Sequence, residues 1–250
     1  MNDGIFESRL NDMAIRAERN FAPVFSSFLD ERQCAEAEKW CLHNTNGLEY
    51  VFWGGYENAR RKMVAIYPNF YEKNQIVNEF PMHCLTFSFR DGDKLTHRDF
   101  LGSFMALRLK REVIGDIVID NGKAQTFVTD IASKVISLDI TKIGRIGVKI
   151  FNDVPFELES IQKFQDIAGT VASLRLDCIV NIAAKISREK AANLIRSEKV
   201  DVNHLTVNSV SSELQQGDVI SIRGCGRFLL AEIGSYTKKG RIHINLRKYI

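Results

Sequence analysis

Between Leu174 and Arg223 the apolar residues of this chain change period, and that change constrains the fold more than anything else in the sequence. Leu176, Ile179, Val180, Ala183 and Ile186 recur at helical spacing over Leu174–Ile186, which predicts one amphipathic helix. Ser187 follows, a residue whose hydroxyl can accept a backbone N–H of the next helix. Ala191, Ala192, Leu194 and Ile195 then supply a second core face. From there the period falls to two. Val200–Val202 and Leu205–Val207 alternate around Asn203-His204, implying a hairpin. Gly217-Asp218 turns the chain into Val219–Arg223, and Gly224-Cys225-Gly226 bends it before Arg227-Phe228.

Basic residues decorate this framework. Arg188 and Lys199 are eleven residues apart, nearly the same angle on a helix at about 100° per residue. Arg196 lies roughly 80° round from Arg188 by the same geometry. With Lys185 and Lys190 they could form a basic ridge at a helix N-terminus, where free N–H groups also meet phosphate oxygens. Glu189 and Glu198 on the same helix fit a plain solvated face equally well, so the pattern leaves both readings open. Net charge over the 250 residues is only +3. Its distribution is uneven: residues 171–250 hold 13 Lys and Arg against 7 Asp and Glu, while residues 1–170 hold 21 against 24. Lys238, Lys239 and Arg241 mark a further hairpin tip, and Arg247-Lys248 sit near the end.

Upstream, Phe6, Leu10, Met13 and Ala17 predict a first helix, and Asp30 caps a second through Leu42. Strand-like runs follow at Leu48–Trp53, Met63–Tyr67 and Met82–Arg90. Thr96 with Asp99 three residues on begins a helix carrying Phe100, Leu101, Phe104 and Leu107. Ile114–Ile119 and Ala124–Val128 flank Asn121-Gly122 as a hairpin, before a helix at Asp130–Leu138 and a strand at Arg145–Phe151. Glu157–Val171 reads as a short helical connector. The whole is expected to be α+β, divided as 1–75, 76–156 and 172–250, with continuity of the first two segments left open.

Several functions find no support. Cys34, Cys41, Cys84, Cys178 and Cys225 are odd in number with no C-x-x-C pair, so neither a disulfide framework nor a metal site is expected. The charged N-terminus is no signal peptide and no apolar run has membrane-spanning length, which predicts a cytoplasmic protein without a membrane partner. His97-Arg98-Asp99 spells a kinase catalytic tripeptide but lacks every companion motif. Asp116 and Asp120 could be a carboxylate pair, although turn polarity accounts for them. His204 and His243 have no partner spacing for metal or catalysis. No catalytic residue, cofactor or metal is expected.

Arg175-Leu176-Asp177, Ser187-Arg188-x-Lys190-Ala191, Leu194-Ile195, Val200-x-Val202-Asn203 and Gly217-Asp218-x-Ile220-x-Ile222-Arg223 resemble the RNA-binding domain named after small-subunit ribosomal protein four, the S-four domain. Two departures stand out: Lys185 replaces a common Gly before the second helix, and His204 replaces a common turn Gly. The resemblance implies RNA contacts at Lys185, Ser187, Arg188, Lys190, Arg196, Lys199, Asn203, Arg223 and Arg227. Among S-four proteins, pseudouridine synthases need a Gly-Arg-Leu-Asp motif, of which Gly144-Arg145-Ile146-Gly147 is a fragment without the Asp.

Thr96–Ser103, Leu109-Lys110-Arg111-Glu112, Ile114-Gly115-Asp116-Ile117 and Lys142-Ile143-Gly144-Arg145, joined to the S-four pattern, resemble the YlmH family. That resemblance implies an RRM-like α+β domain before the S-four domain, and His97 with Arg98 as a second RNA-facing patch. It further implies a non-enzymatic factor, expected as a monomer. Its partners would be rRNA and tRNA on the large ribosomal subunit, in quality control of stalled peptidyl-tRNA. A cell-division interaction protein with secondary RNA binding, and an RNA-modifying enzyme, are the alternatives.

Overall fold

The computed structural model describes residues 3–45, 47–158 and 164–250. They form two compact units, Met1–Ser160 and Ile161–Ile250, both mixing helices with antiparallel sheet, so the fold is α+β. Among the described residues no helix is long and apolar enough to cross a membrane.

The first unit opens with α1 (Asp3–Asn20), which buries Phe6, Leu10, Met13 and Ala17 as their spacing predicts. After β1 (Val24–Phe25), Asp30 caps α2 (Glu31–Asn44): the Gln33 N–H donates to its carboxylate at 2.8 Å, and the Gln33 side chain accepts from the Asp30 N–H. β2 (Leu48–Trp53) and β1 flank β3 (Met63–Pro68), a strand buried at every position, and the short α3 (Lys73–Asn78) follows.

Next come β4 (Met82–Ser88), α4 (His97–Ala106), β5 (Ile114–Asp120), β6 (Lys123–Thr129) and α5 (Asp130–Asp139). A small hairpin, β7 (Lys142–Ile143) with β8 (Ile146–Gly147), precedes β9 (Lys149–Asn152). The main strands lie in the order β5-β6-β4-β9, all antiparallel, with the β-α-β-β-α-β connectivity of ferredoxin-like folds. Helices α4 and α5 cover one face through Phe100, Phe104, Ala132 and Ile136, packed on Leu85, Phe87 and Val128. The expected strand Arg145–Phe151 is thus two elements. Gly144 takes a positive φ of 57° and folds Ile146 back on Ile143, leaving Lys149–Asn152 to join the sheet.

The opposite face of this sheet is occupied by the unit's own residues. Phe127 of β6 stacks on Tyr56 and Phe156, whose own rings are 4.3 Å apart. Beside them the fully buried Gln125 donates to Thr86 Oγ1 and the Pro155 carbonyl, and accepts from the N–H groups of Glu157 and Leu158. Segment 155–158 is thereby strapped across the sheet. Gly55 permits the approach, since a Cβ there would lie 2.4 Å from the Phe127 ring. Asp116 fixes the same loop by accepting from Tyr56 Oη and from the backbone N–H groups of Arg60 and Arg61. Asp120 accepts from the Asn121 N–H in its hairpin turn. Both carboxylates are therefore held in structural hydrogen bonds.

The second unit begins with β10 (Phe164–Val171), which corrects the expected helical connector. Residues 159–163 of that connector lie outside the described residues. Ile167 and Val171 sit four apart and mimic a helix, but all eight residues of β10 pair with β15 (Ile242–Tyr249), and Gln165, Ile167, Gly169 and Val171 share one face of the strand. Between them come α6 (Leu176–Ala184), α7 (Arg188–Arg196), β11 (Val200–Val202), β12 (Leu205–Thr206), β13 (Val219–Ile222) and β14 (Gly226–Tyr236). The sheet order is β10-β15-β14-β13-β11-β12. Helices α6 and α7 pack on one face, where Leu176, Ile179, Val180, Ala191 and Ile195 meet Ile220, Phe228, Leu230, Ile244 and Leu246. Gly169 lies directly under Ile182, with 2.8 Å to where its Cβ would be.

All five cysteines are free thiols. Burial pushes Cys34 and Cys84 up to about 11 and Cys41 up to about 12.

Candidate nucleic-acid interface

Helix α6 ends on Lys185 in the left-handed conformation (φ +53°), and the chain turns at once into α7. Ser187 caps α7 by accepting from the Lys190 N–H at 3.3 Å. The position where relatives of the S-four pattern carry Gly is thus one that a side chain strains. His204 (φ +69°) follows Asn203 (φ +48°) in the β11–β12 turn, so the second departure also falls at a positive φ.

Asp177, on the first turn of α6, organises the charges. It is almost fully buried, and accepts from Arg188 at 2.6 Å and Arg175 at 3.1 Å. Burial acts to raise its carboxyl, but the hydrogen bonds from Arg188 and then Arg175 outweigh it and hold the group below its ordinary value. Arg188 is thereby fixed at the α6–α7 junction while its side chain stays 57 % exposed. Sequence reasoning missed this role for Asp177; an acidic residue one turn into an otherwise apolar helix was the available signal.

Lys185, Lys190, Arg196, Lys199 and Arg223 are exposed, and among the described residues none of them ion-pairs with a carboxylate. The helical phasing of Arg188 with Lys199 does not apply, because α7 stops at Arg196 and Glu198 turns left-handed (φ +55°). Lys199 instead precedes β11, its N–H donating to the Leu194 carbonyl at 3.1 Å. The Arg223 N–H donates to the Lys199 carbonyl at 2.9 Å, continuing the ladder that pairs Val200 with Ile222. The backbone therefore brings two cations together at the end of the ladder, where like charges on neighbouring strands disfavour each other.

Asn203 contributes differently. Its amide donates to Asp218 and accepts from the Val219 N–H, so the side chain holds the hairpin to the Gly217-Asp218 turn. Arg227 pairs with Ser221, while its neighbour Phe228 enters the core. Strand alternation puts Arg227 on the sheet face opposite the helices, apart from the α7 set. In the first unit, His97 and Arg98 open α4 behind the Thr96–Asp99 capping box. Although the His97 ring reaches solvent, partial desolvation and then the Arg111 charge hold it below its usual value. Arg98 lines an open groove of ≈ 680 Å³ with Lys142 and the Gly144 backbone, and the Gly144 N–H donates to Ser103 there.

The chain is similar to known proteins along most of its length. Residues 6–71 match the family described as "YlmH, N-terminal", and residues 80–157 match "Putative RNA-binding domain in YlmH". The "Ribosome-associated protein quality control protein P2" of Bacillus subtilis (strain 168) is 30 % identical over 241 residues, which cover 92 % of this chain and 89 % of that protein. The solved "Cell division protein ylmH from Streptococcus pneumoniae" shares the fold, with a TM-score of 0.52 at 19 % identity over 61 % of this chain and 91 % of that one. With two family segments filling its first unit and a relative aligned along nearly its whole length, the chain belongs to the YlmH family.

Proposed function

We propose that this chain is a non-enzymatic RNA-binding factor of the ribosome. It holds rRNA or tRNA on the large subunit through the α6–α7 turn and the β11–β13 ladder of its second unit. The observation that carries this reading is the Lys199–Arg223 pair, joined by a backbone hydrogen bond with neither cation on a carboxylate among the described residues, in a unit that also exposes Arg188, Lys190 and Arg196. A phosphate backbone supplies the missing anion, and A-form RNA is recognised by such backbone contacts because its major groove is too narrow to read. The name of the Bacillus subtilis relative supports the ribosome and a part in protein quality control, and stalled peptidyl-tRNA is the bound state in this reading. Segments 1–75, 76–156 and 172–250 act as the functional divisions, with the last as the S-four-type module and the groove at Arg98 as a secondary contact.

In the ferredoxin-like half of the first unit, the sheet face that RNA-recognition motifs use for base stacking is filled by Tyr56, Phe156 and the 155–158 strap. This favours the second unit as the principal RNA surface. Binding of an RNA hairpin by the full chain, followed across a salt titration, tests the proposal. Lys199→Gln with Arg223→Gln lowers affinity and reduces the slope of log K against log salt by about two, one per phosphate contact. An unchanged slope removes the pair from the interface. Salt-sensitive co-sedimentation with large subunits is expected, and a ribosome-free pool held by proteins would instead favour a cell-division role.

A further inference from the structure

The six-stranded sheet of the second unit has two faces, and α6 and α7 account for only one. Among the described residues, no element of this unit packs on the other. Strand register fixes what that face carries. Phe164 pairs with Tyr249, Asp166 with Arg247 and Ala168 with Asn245, all pointing away from the helices because their neighbours Ile244 and Leu246 point inward. Leu229 pairs with Arg247 on the other side of β15, and Arg227 lies on the same face.

These residues make a small arginine–aromatic array. The Phe164 and Tyr249 rings are 5.0 Å apart at 60°. The Arg227 guanidinium lies 5.7 Å from the centre of Tyr249, and that of Arg247 lies 5.9 Å from the centre of Phe164. Asp166 reaches Arg247 at 3.3 Å and steadies it. Phe164 and Arg247 are exposed and Tyr249 is half-buried. Farther along the same face, an open groove of ≈ 500 Å³ is lined by Thr170, Glu232, His243 and Asn245.

Charge selects the occupant. This face carries Arg227 and Arg247 against Asp166 and Glu232, and the β14–β15 tip adds Lys238, Lys239 and Arg241. Aromatic rings beside guanidinium groups on a basic sheet suit unpaired nucleotides: every base has a π-face to lay on a ring or guanidinium plane, and each phosphate finds a cation. A duplex offers no such faces. We infer that the helix-free face of the second unit, centred on Phe164, Tyr249, Arg227 and Arg247, binds single-stranded RNA, separately from the α6–α7 surface that takes structured RNA. The inference rests on the RNA-binding reading and adds a second site of different ligand class to it. One chain would thereby engage a helix and the unpaired nucleotides adjoining it.

Fluorescence anisotropy with two labelled probes tests this on the full chain: an oligouridylate of about ten nucleotides, within the span such platforms cover, and an RNA hairpin of about one helical turn. Phe164→Leu with Tyr249→Leu weakens oligouridylate binding about ten-fold or more and leaves the hairpin affinity unchanged. Tyr249→Phe keeps the ring and retains single-strand binding. Lys199→Gln with Arg223→Gln weakens the hairpin and spares the oligouridylate. The inference is overturned if the natural chain fails to bind oligouridylate, if Tyr249→Phe loses as much as the leucine change, or if the Lys199/Arg223 change abolishes binding of both probes. Self-association lost on the leucine changes, without single-strand binding, would assign the face to a second copy and also overturn it. Loss of hairpin binding in every form would instead strike the broader RNA-binding reading.

Discussion

Two side chains in the α6–α7 turn carry opposite consequences for stability. Arg188 is both an exposed cation and one of two partners of a buried carboxylate, so Arg188→Ala acts twice. It removes a phosphate contact of the proposed interface, and it costs about 1 kcal/mol of stability once solvent screening of the exposed guanidinium is allowed for. Chemical denaturation reads the second effect separately from RNA titration. Asp177 gives the pair its pH dependence. Because its folded value is depressed, its contribution is complete above the unfolded carboxylate range near pH ~4 and is lost as pH falls through the lower folded value. Asp177→Asn therefore flattens the acid limb of a stability–pH curve, while the limb above that range keeps its shape. Lys185 runs the other way: it occupies a left-handed cap, and Lys185→Gly raises stability by roughly 1 kcal/mol in thermal denaturation. If Lys185 touches RNA, the same change lowers affinity.

At the scale of elements, most of the secondary structure was legible because it followed local rules. The capping boxes at Asp30 and Thr96, the Asn121-Gly122 hairpin and the Ser187 cap are all short-range chemistry. What sequence could not show was pairing between distant segments. Strand β10 declares itself only through β15, some eighty residues later. The candidate site divided along the same line. Arg188, Lys190 and Ser187 were readable from one helix start, whereas the Lys199–Arg223 pair and the placement of Arg227 depend on sheet register. The strap over the first unit's sheet was equally hidden, since Gln125 binds residues thirty positions away. Gln125→Leu leaves the Glu157 and Leu158 N–H groups without their acceptor and costs about 1–3 kcal/mol. Hydrogen exchange at those two amides, accelerated in the variant, is the direct measurement.

Over the whole molecule, the two units treat aromatic sheet faces in contrary ways. The first seals Phe127 beneath Tyr56 and Phe156, and the second leaves Phe164 and Tyr249 within reach of solvent. Charge follows the same division, with acidic excess in residues 1–170 and basic excess in residues 171–250. RNA crosslinking of the full chain, followed by peptide mapping, should therefore return peptides chiefly from the second unit. A majority from residues 80–157 would transfer the principal contact to the groove at Arg98.

The thiols give this layout a practical handle. Desolvation holds Cys34, Cys41 and Cys84 as neutral thiols under ordinary conditions, and Cys225 is half-exposed, as Cys34 is, in the short turn joining β13 to β14. That turn separates Arg223, on the ladder with Lys199, from Arg227, on the aromatic array. A maleimide dye attached there would sit between the two proposed surfaces, so one label on the natural sequence tests for the arrival of either kind of RNA.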